Sequence, residues 1–162
     1  MSFKKCPRFT KDDDYMTQKS AWEDIAKYVP KDYVLWEAFY GDGKSGEYLR
    51  ELGYEVIHEA IDFFDNNPDC DAIVSNPPYS AKREVFTRLK ELGKPFVMLV
   101  PTTTLHTKYL QQLFGDENLQ VIMPYKKRQF DSPTKQLKKD GCSFYTCYIC
   151  YKMNLPKDLI LL

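Results

Sequence analysis

The apolar and polar positions along the 162-residue chain alternate short apolar runs with amphipathic stretches. Residues 1–16 are polar and charged and read as an irregular arm. From Thr17 to Tyr28 the residues Ala21, Trp22, Ile25, Ala26 and then Val29 mark one face of a helix, which Pro30 stops. Tyr33–Glu37 predicts a first strand, followed by a glycine turn over 41–46 and a helix near Ser45–Leu52 that ends at Gly53. Tyr54–Glu59 predicts a second strand and Ala72–Ser75 a third. A helix over Lys82–Leu92 leads to Pro95–Pro101, a wholly apolar run of the kind that lies in the middle of a parallel sheet. Another helix is predicted over Leu105–Phe114. The remainder reads as strand Leu119–Met123, a loop, and strand Cys142–Lys152, a terminal hairpin. Strands alternating with helices and then a hairpin predict an α/β fold, mainly parallel, with one antiparallel strand near the end. Only Ala60–Asp69 separates the second strand from the third, too little for another strand–helix unit.

Composition narrows the class. The length suits one domain with a real core, and 43% apolar with 15% aromatic residues argues for a globular chain. Lys+Arg and Asp+Glu balance at 23 each, so net charge gives no argument for a polyanionic partner. Local charge does, because Lys126, Lys127, Arg128, Lys135, Lys138 and Lys139 crowd the hairpin loop over 125–141. No apolar run approaches the roughly 20 residues of a membrane span, and the first residues lack a secretory signal. A soluble intracellular protein, cytoplasmic or nuclear, is expected. Among five cysteines, Cys147 and Cys150 form a C-x-x-C within a predicted strand. Positions three apart on a strand face opposite sides, so the pair is read as reduced filler of core and surface rather than a metal or redox site.

Candidate chemistry gathers at two turns. Gly41, Gly43 and Gly46 spell G-x-G-x-x-G between a strand and a helix, a turn that brings backbone and helix N-terminus close to a ligand. Ala38–Ser45 also approaches a phosphate loop, with Lys44 on phosphate and Ser45 on magnesium, which predicts a nucleotide hydrolase or kinase. Phe39 and Tyr40 in the turn weigh against that, as does the lack of an acid closing either later apolar strand. Glu37 ends the first strand and Glu59 the second, where a carboxylate can accept ribose hydroxyls. Asp62, followed by Phe63 and Phe64, can accept from an adenine amine while a ring covers the base.

The second turn is Asn76-Pro77-Pro78-Tyr79, at the end of an apolar strand. Two prolines fix two φ angles and make the bend stiff. The Asn76 side-chain oxygen and the Pro77 carbonyl can then accept both hydrogens of one planar amino group. Tyr79 offers a ring for a base to stack on.

With the glycine turn and the acids upstream, this tetrapeptide resembles the S-adenosylmethionine methyltransferases. In particular it is similar to the N6-adenine enzymes with an N/D-P-P-Y/F motif, the small phage- and virus-type DNA adenine enzymes being nearest in layout. The resemblance spans roughly Tyr15 to Met153. It implies a Rossmann-like fold, S-adenosylmethionine as cofactor, and methyl transfer to adenine in nucleic acid, DNA rather than RNA; the chain departs from it in leaving only Ala60–Asp69 for the third strand, which is expected to be reduced or missing. It implies that Glu37, Phe39, Gly41, Gly43, Glu59, Asp62 and Phe63 line the cofactor, with Tyr15 and Thr17 from a contacting segment before the first strand. It gives Asn76, Pro77, Pro78 and Tyr79 the catalytic turn and Phe130 the place beside a flipped base. Lys82, Arg83, Lys127 and Arg128 are the candidates for nucleic-acid contact. No separate recognition domain is visible, so recognition falls to loops, a second copy or a partner subunit. Methyltransferases of glutamine amides or guanine amines use the same turn, and a catalytically silent partner subunit would share it. His58 and His106 lack metal spacing and are assigned no role.

Overall fold

The computed structural model describes residues 16–125, 130–131 and 144–162. In chain order the strands are β1 Met16–Thr17, β2 Val34–Trp36, β3 Glu55–Ile57, β4 Ala72–Ser75, β5 Phe96–Pro101, β6 Leu119–Met123, β7 Phe130–Asp131, β8 Thr146–Tyr151 and β9 Leu159–Leu161. The helices are α1 Lys19–Glu23, α2 Lys44–Glu51, α3 Lys82–Leu92 and α4 Lys108–Phe114. Seven strands form one sheet in the order β3-β2-β4-β5-β8-β6-β9, and β1 pairs with β7 in a separate two-stranded ribbon.

Strands β3, β2, β4 and β5 run parallel, with α2 as the crossover from β2 to β3 and α3 as the crossover from β4 to β5. Strand β8 then slots between β5 and β6, antiparallel to both. This is the α/β, Rossmann-like arrangement expected, with its late antiparallel strand. Nothing pairs with the outer edge of β3 among the described residues, so the third strand of the complete fold is missing. Residues 60–71 instead return directly to β4, held to α3 by Arg88 donating to the Asn66 carbonyl (3.2 Å) and to the link before β5 by Lys94 donating to the Pro68 carbonyl (2.7 Å).

Strand β5 shows why its run is apolar throughout. Val97 and Leu99 face one core with Trp22, Ile25 and Leu49, while Phe96, Met98 and Val100 face the other with Val85, Phe86, Leu110 and Phe114. Alternation on a sheet covered on both sides leaves no polar position. The cysteines follow the same rule, Cys150 lying in the first core and Cys147 in the second. Both are free, both are buried, and burial pushes each thiol up to about 12. The pair is therefore core alone, not core and surface.

Three boundaries depart from the sequence reading. The helix expected over Thr17–Tyr28 is α1 followed by a separate 3-10 turn at Ala26–Tyr28. The Tyr54 hydroxyl lies 2.8 Å from the carbonyls of both Ala26 and Val29 and offers a donor that helix continuation would otherwise supply. The helix expected over Leu105–Phe114 is a 3-10 turn at Thr102–His106 and then α4, split where extended Thr107 turns its hydroxyl onto the Thr104 carbonyl at 2.7 Å. Strand β9 was not foreseen; three apolar residues after Pro156 add to β6 in parallel. Among the described residues no helix is long and apolar enough to cross a membrane.

Candidate functional site

Strand β2 is the point at which the sheet order reverses, with β3 on one side and β4 on the other. In open α/β sheets ligands bind beyond the carboxyl ends of the strands at such a point. Register makes this concrete: Trp36 pairs with Ile73, so Glu37, just past β2, sits beside the end of β4. A cleft opens there, lined by Met16, Thr17, Glu37, Phe39, Tyr40, Gly41, Asp42, Ser45 and Asn76. The glycine turn and the proline turn, 35 residues apart from Gly41 to Asn76, thus share one mouth.

The glycine wall is tightly organised. Gly41 and Gly43 take φ of 60° and 86°, a region that glycine enters without strain. Gly43 donates to the Tyr40 carbonyl at 3.0 Å, and the Asp42 carboxylate accepts from the Lys44 backbone N–H at 3.0 Å, where α2 begins. Behind the turn lies Glu37, only 1% exposed. It accepts from the Ser75 hydroxyl, from the Phe39 backbone N–H (3.1 Å) and from Ser45. The Ser45 hydroxyl in turn accepts from the Trp22 indole N–H at 2.9 Å. Burial dominates these bonds and raises the Glu37 carboxyl to about 8. The chain from Trp22 through Ser45 and Glu37 to Ser75 ties α1, α2, β2 and β4 together. It also commits the Ser45 hydroxyl to Trp22 and Glu37, whereas a phosphate loop needs that hydroxyl for magnesium.

The proline wall is simpler. Pro77 and Pro78 are buried, and Asn76 and Tyr79 are partly exposed. Pro78 (φ −63°, ψ 124°) starts a 3-10 turn over Tyr79–Ala81, with Ala81 donating to its carbonyl at 3.1 Å. Tyr79 meets Phe144 edge-on, ring centres 5.5 Å apart.

The other expected residues are distributed around this cleft. Thr17 is buried at its rim, in β1, whose partner is the backbone of Phe130 and Asp131. Glu59 and Asp62 are exposed and lie outside the cleft lining, and Asp62 accepts from the Phe64 N–H at 2.7 Å. Phe63 is 2% exposed and packs on Trp36 and Phe39 with ring centres 5.5 and 5.0 Å away, so it is a core residue and Phe64 is the half-exposed ring. Arg83 lines a separate open groove with Phe64, Asp65, Glu84, Thr87, Arg88 and Glu91. Lys82, half-buried at the start of α3, has its ammonium pKa lowered by burial and lines neither cleft nor groove. Tyr15, Lys127 and Arg128 fall outside the described residues.

Sequence reasoning passed over Trp22, Ser75, Tyr40 and His58. Trp22 and Ser75 reach the site only through tertiary contact. His58 left a trace in the third glycine of the turn, as argued below.

The donor set suits a cationic, nucleoside-like ligand: a buried carboxyl, a glycine turn opening a helix, and exposed acids after β3. The cleft is narrow. About 10 Å³ is enclosed, room for roughly one water molecule, and about 250 Å³ is empty when the open mouth is included. Met16, Thr17 and Tyr40 are among the side chains that line it.

The chain matches no protein-family model and no curated protein. Among solved structures it is similar to a protein from Listeria monocytogenes described as a candidate class I S-adenosylmethionine-dependent methyltransferase. That match has 14% identity and a TM-score of 0.50, over 90% of this chain and 64% of the other. The chain thus spans less than two thirds of the Listeria protein's length. A second similar structure is the precorrin-6Y C5,15-methyltransferase of Geobacter metallireducens, with 16% identity, a TM-score of 0.45, and 91% and 100% coverage. At these identities the likeness is one of fold: the sheet is Rossmann-like.

Proposed function

We propose that the protein transfers a methyl group from S-adenosylmethionine to the N6 amino group of adenine in nucleic acid, DNA in preference to RNA. The observation that carries this reading is the shared mouth, where Asn76 at the end of β4 lines the same cleft as Glu37 and the glycine turn. S-adenosylmethionine, when bound, supplies an electrophilic methyl group on a sulfonium.

Asn76 and Pro77 hold the target. The Asn76 side-chain oxygen and the Pro77 carbonyl accept the two amino hydrogens, since the Pro78 carbonyl is already used by Ala81. Held this way the nitrogen becomes pyramidal and its lone pair points into the cleft. Positioning and electrostatics do the work, with no general base needed beforehand. Tyr79 stacks on the base, and Phe130 is the candidate, by resemblance, to flank it. Glu37 faces the cationic end of the cofactor, Phe39 and Gly41 line its cleft with Thr17 at the rim, and Gly43 shapes the turn. The exposed acids Glu59 and Asp62 are the candidates for its nucleoside end, Phe63 supports them only from the core, and Tyr15 is a candidate by resemblance. Lys82, Arg83, Lys127 and Arg128 meet the phosphate backbone, a salt-sensitive contact that carries no sequence information.

Calorimetric titration with S-adenosylmethionine and with magnesium-ATP tests the cofactor. Binding of the first and not the second is expected, and the reverse would sink the proposal. Labelled methyl transfer into DNA, RNA and a protein extract tests the substrate. Label in DNA as N6-methyladenine is the expected product; label in protein or guanine alone would move the reading to the enzymes of amides or guanine amines.

A further inference from the structure

We infer that His58 is a positioning residue that holds the glycine turn in its cofactor-accepting shape, and that residue 46 is glycine to admit the His58 ring. The inference rests on the methyltransferase reading only in what the turn is for.

His58 follows β3 directly and is 8% exposed. One side of its ring lies against Gly46. A Cβ at position 46 would stand 2.0 Å from Nδ1, 2.3 Å from Cγ and 2.6 Å from the Cβ of His58, so any side chain there expels the imidazole. The ring also stacks on Tyr40, centres 4.7 Å apart at 25°. Tyr40 begins the turn and Gly46 lies just inside the helix beyond it, so one imidazole touches both ends of the loop. The Tyr40 backbone carbonyl also acts on the ring, raising the imidazole pKa as a nearby hydrogen-bond acceptor does. That carbonyl is the one that takes the Gly43 N–H at 3.0 Å and so sets the left-handed bend at 43. Space at Gly43 is limited by the same tyrosine, whose hydroxyl would lie 3.1 Å from an added Cβ.

The surroundings favour a neutral ring. Burial lowers the imidazole pKa, Arg50 on α2 acts in the same direction, and Asp42 in the turn opposes them. A neutral imidazole keeps one donor for the carbonyl. The third glycine of a G-x-G-x-x-G turn ordinarily serves close helix–sheet packing; here the close neighbour is a particular side chain from the adjacent strand end.

The test separates holding from filling. His58→Phe keeps a flat ring against Tyr40 and loses the donor, whereas His58→Asn keeps a donor near Nδ1 and loses the ring. Binding of S-adenosylhomocysteine, read by calorimetry, is expected to weaken at least tenfold in His58→Phe. His58→Asn should recover part of that loss, and in steady-state assays most of the change should fall on the KM for S-adenosylmethionine rather than on kcat. Gly46→Ala should lose at least as much affinity, and the double variant Gly46→Ala/His58→Ala should regain some of it because the clash is gone. If His58→Phe folds and binds as tightly as the unaltered chain, the ring is mere filler and the inference is wrong. Equal losses in His58→Phe and His58→Asn, with no recovery in the double variant, would overturn it too. An unaltered chain that fails to bind S-adenosylhomocysteine refutes the methyltransferase reading first, which is a distinguishable result.

Discussion

The glycine wall and the proline wall of the cleft reach order by different routes. The glycine wall is assembled from far-apart pieces: Trp22, Ser45, Glu37 and Ser75 form one buried polar chain, and His58 braces the turn from the neighbouring strand end. The proline wall takes its shape from covalent stiffness, two buried rings that fix the bend after β4 wherever the rest of the cleft moves. The difference teaches which wall can respond. A hydrogen-bonded network around a buried carboxyl can exchange a proton or a partner; a Pro-Pro bend cannot. Binding events should therefore be felt on the glycine side, and chemistry should be governed by the proline side.

That division can be broken most directly at Asn76. Asn76→Ala should lower methyl transfer by about 10²–10³-fold, the cost typical of losing one preorganised polar contact, while S-adenosylhomocysteine affinity stays within about threefold. A matching fall in affinity would erase the distinction between the walls. On the other side, Glu37→Gln should weaken cofactor binding about tenfold or more, close to 1.4 kcal/mol, as measured by calorimetry. Unchanged affinity would remove Glu37 from the ligand.

A pH series sharpens the same contrast. The Glu37 carboxyl is raised from 4.5 to about 8 by burial, so between those values the folded chain holds a proton that the unfolded chain has released. Its contribution to stability is complete below pH 4.5 and is lost as pH rises through about 8. Urea melts of the cofactor-free protein should show this slope, and Glu37→Gln should flatten it. Cofactor binding should release protons below pH 8, visible as a buffer-dependent calorimetric heat. The smallest effect belongs to Ser45→Ala, which strands the Trp22 indole N–H and should cost about 1–2 kcal/mol in the same melts. No loss there would mean that the polar chain is not continuous.

How far the sequence could be read follows from the range of the forces involved. Ala72–Ser75, Lys82–Leu92 and Leu119–Met123 were placed to the residue, because each has an apolar period bounded by proline, glycine or charge. The missing third strand was also legible, since ten residues cannot make a crossover. What failed was set by tertiary contact. The first helix breaks where Tyr54, 25 residues beyond Val29, offers its hydroxyl to the backbone. Strand β9 exists because β6 presents an open edge, which no local pattern over 159–161 reveals. In the site, residues 37 and 76 were expected to serve one cleft only through the family resemblance. The burial of Phe63, the commitment of the Ser45 hydroxyl and the bracing by His58 were not foreseen, because each depends on which neighbour arrives beside it.

The position of β8 has a consequence for how the chain is made. Strands β5 and β6 cannot share a sheet until Thr146–Tyr151 is inserted between them, and Tyr148 then donates to the Ala21 carbonyl, 127 residues earlier, at 2.6 Å. During synthesis the nascent polypeptide carries two unzipped ladders of backbone donors and acceptors, awaiting a wedge translated after both. A ribosome stalled before codon 146 would release a sticky half-sheet, prone to pair with other chains.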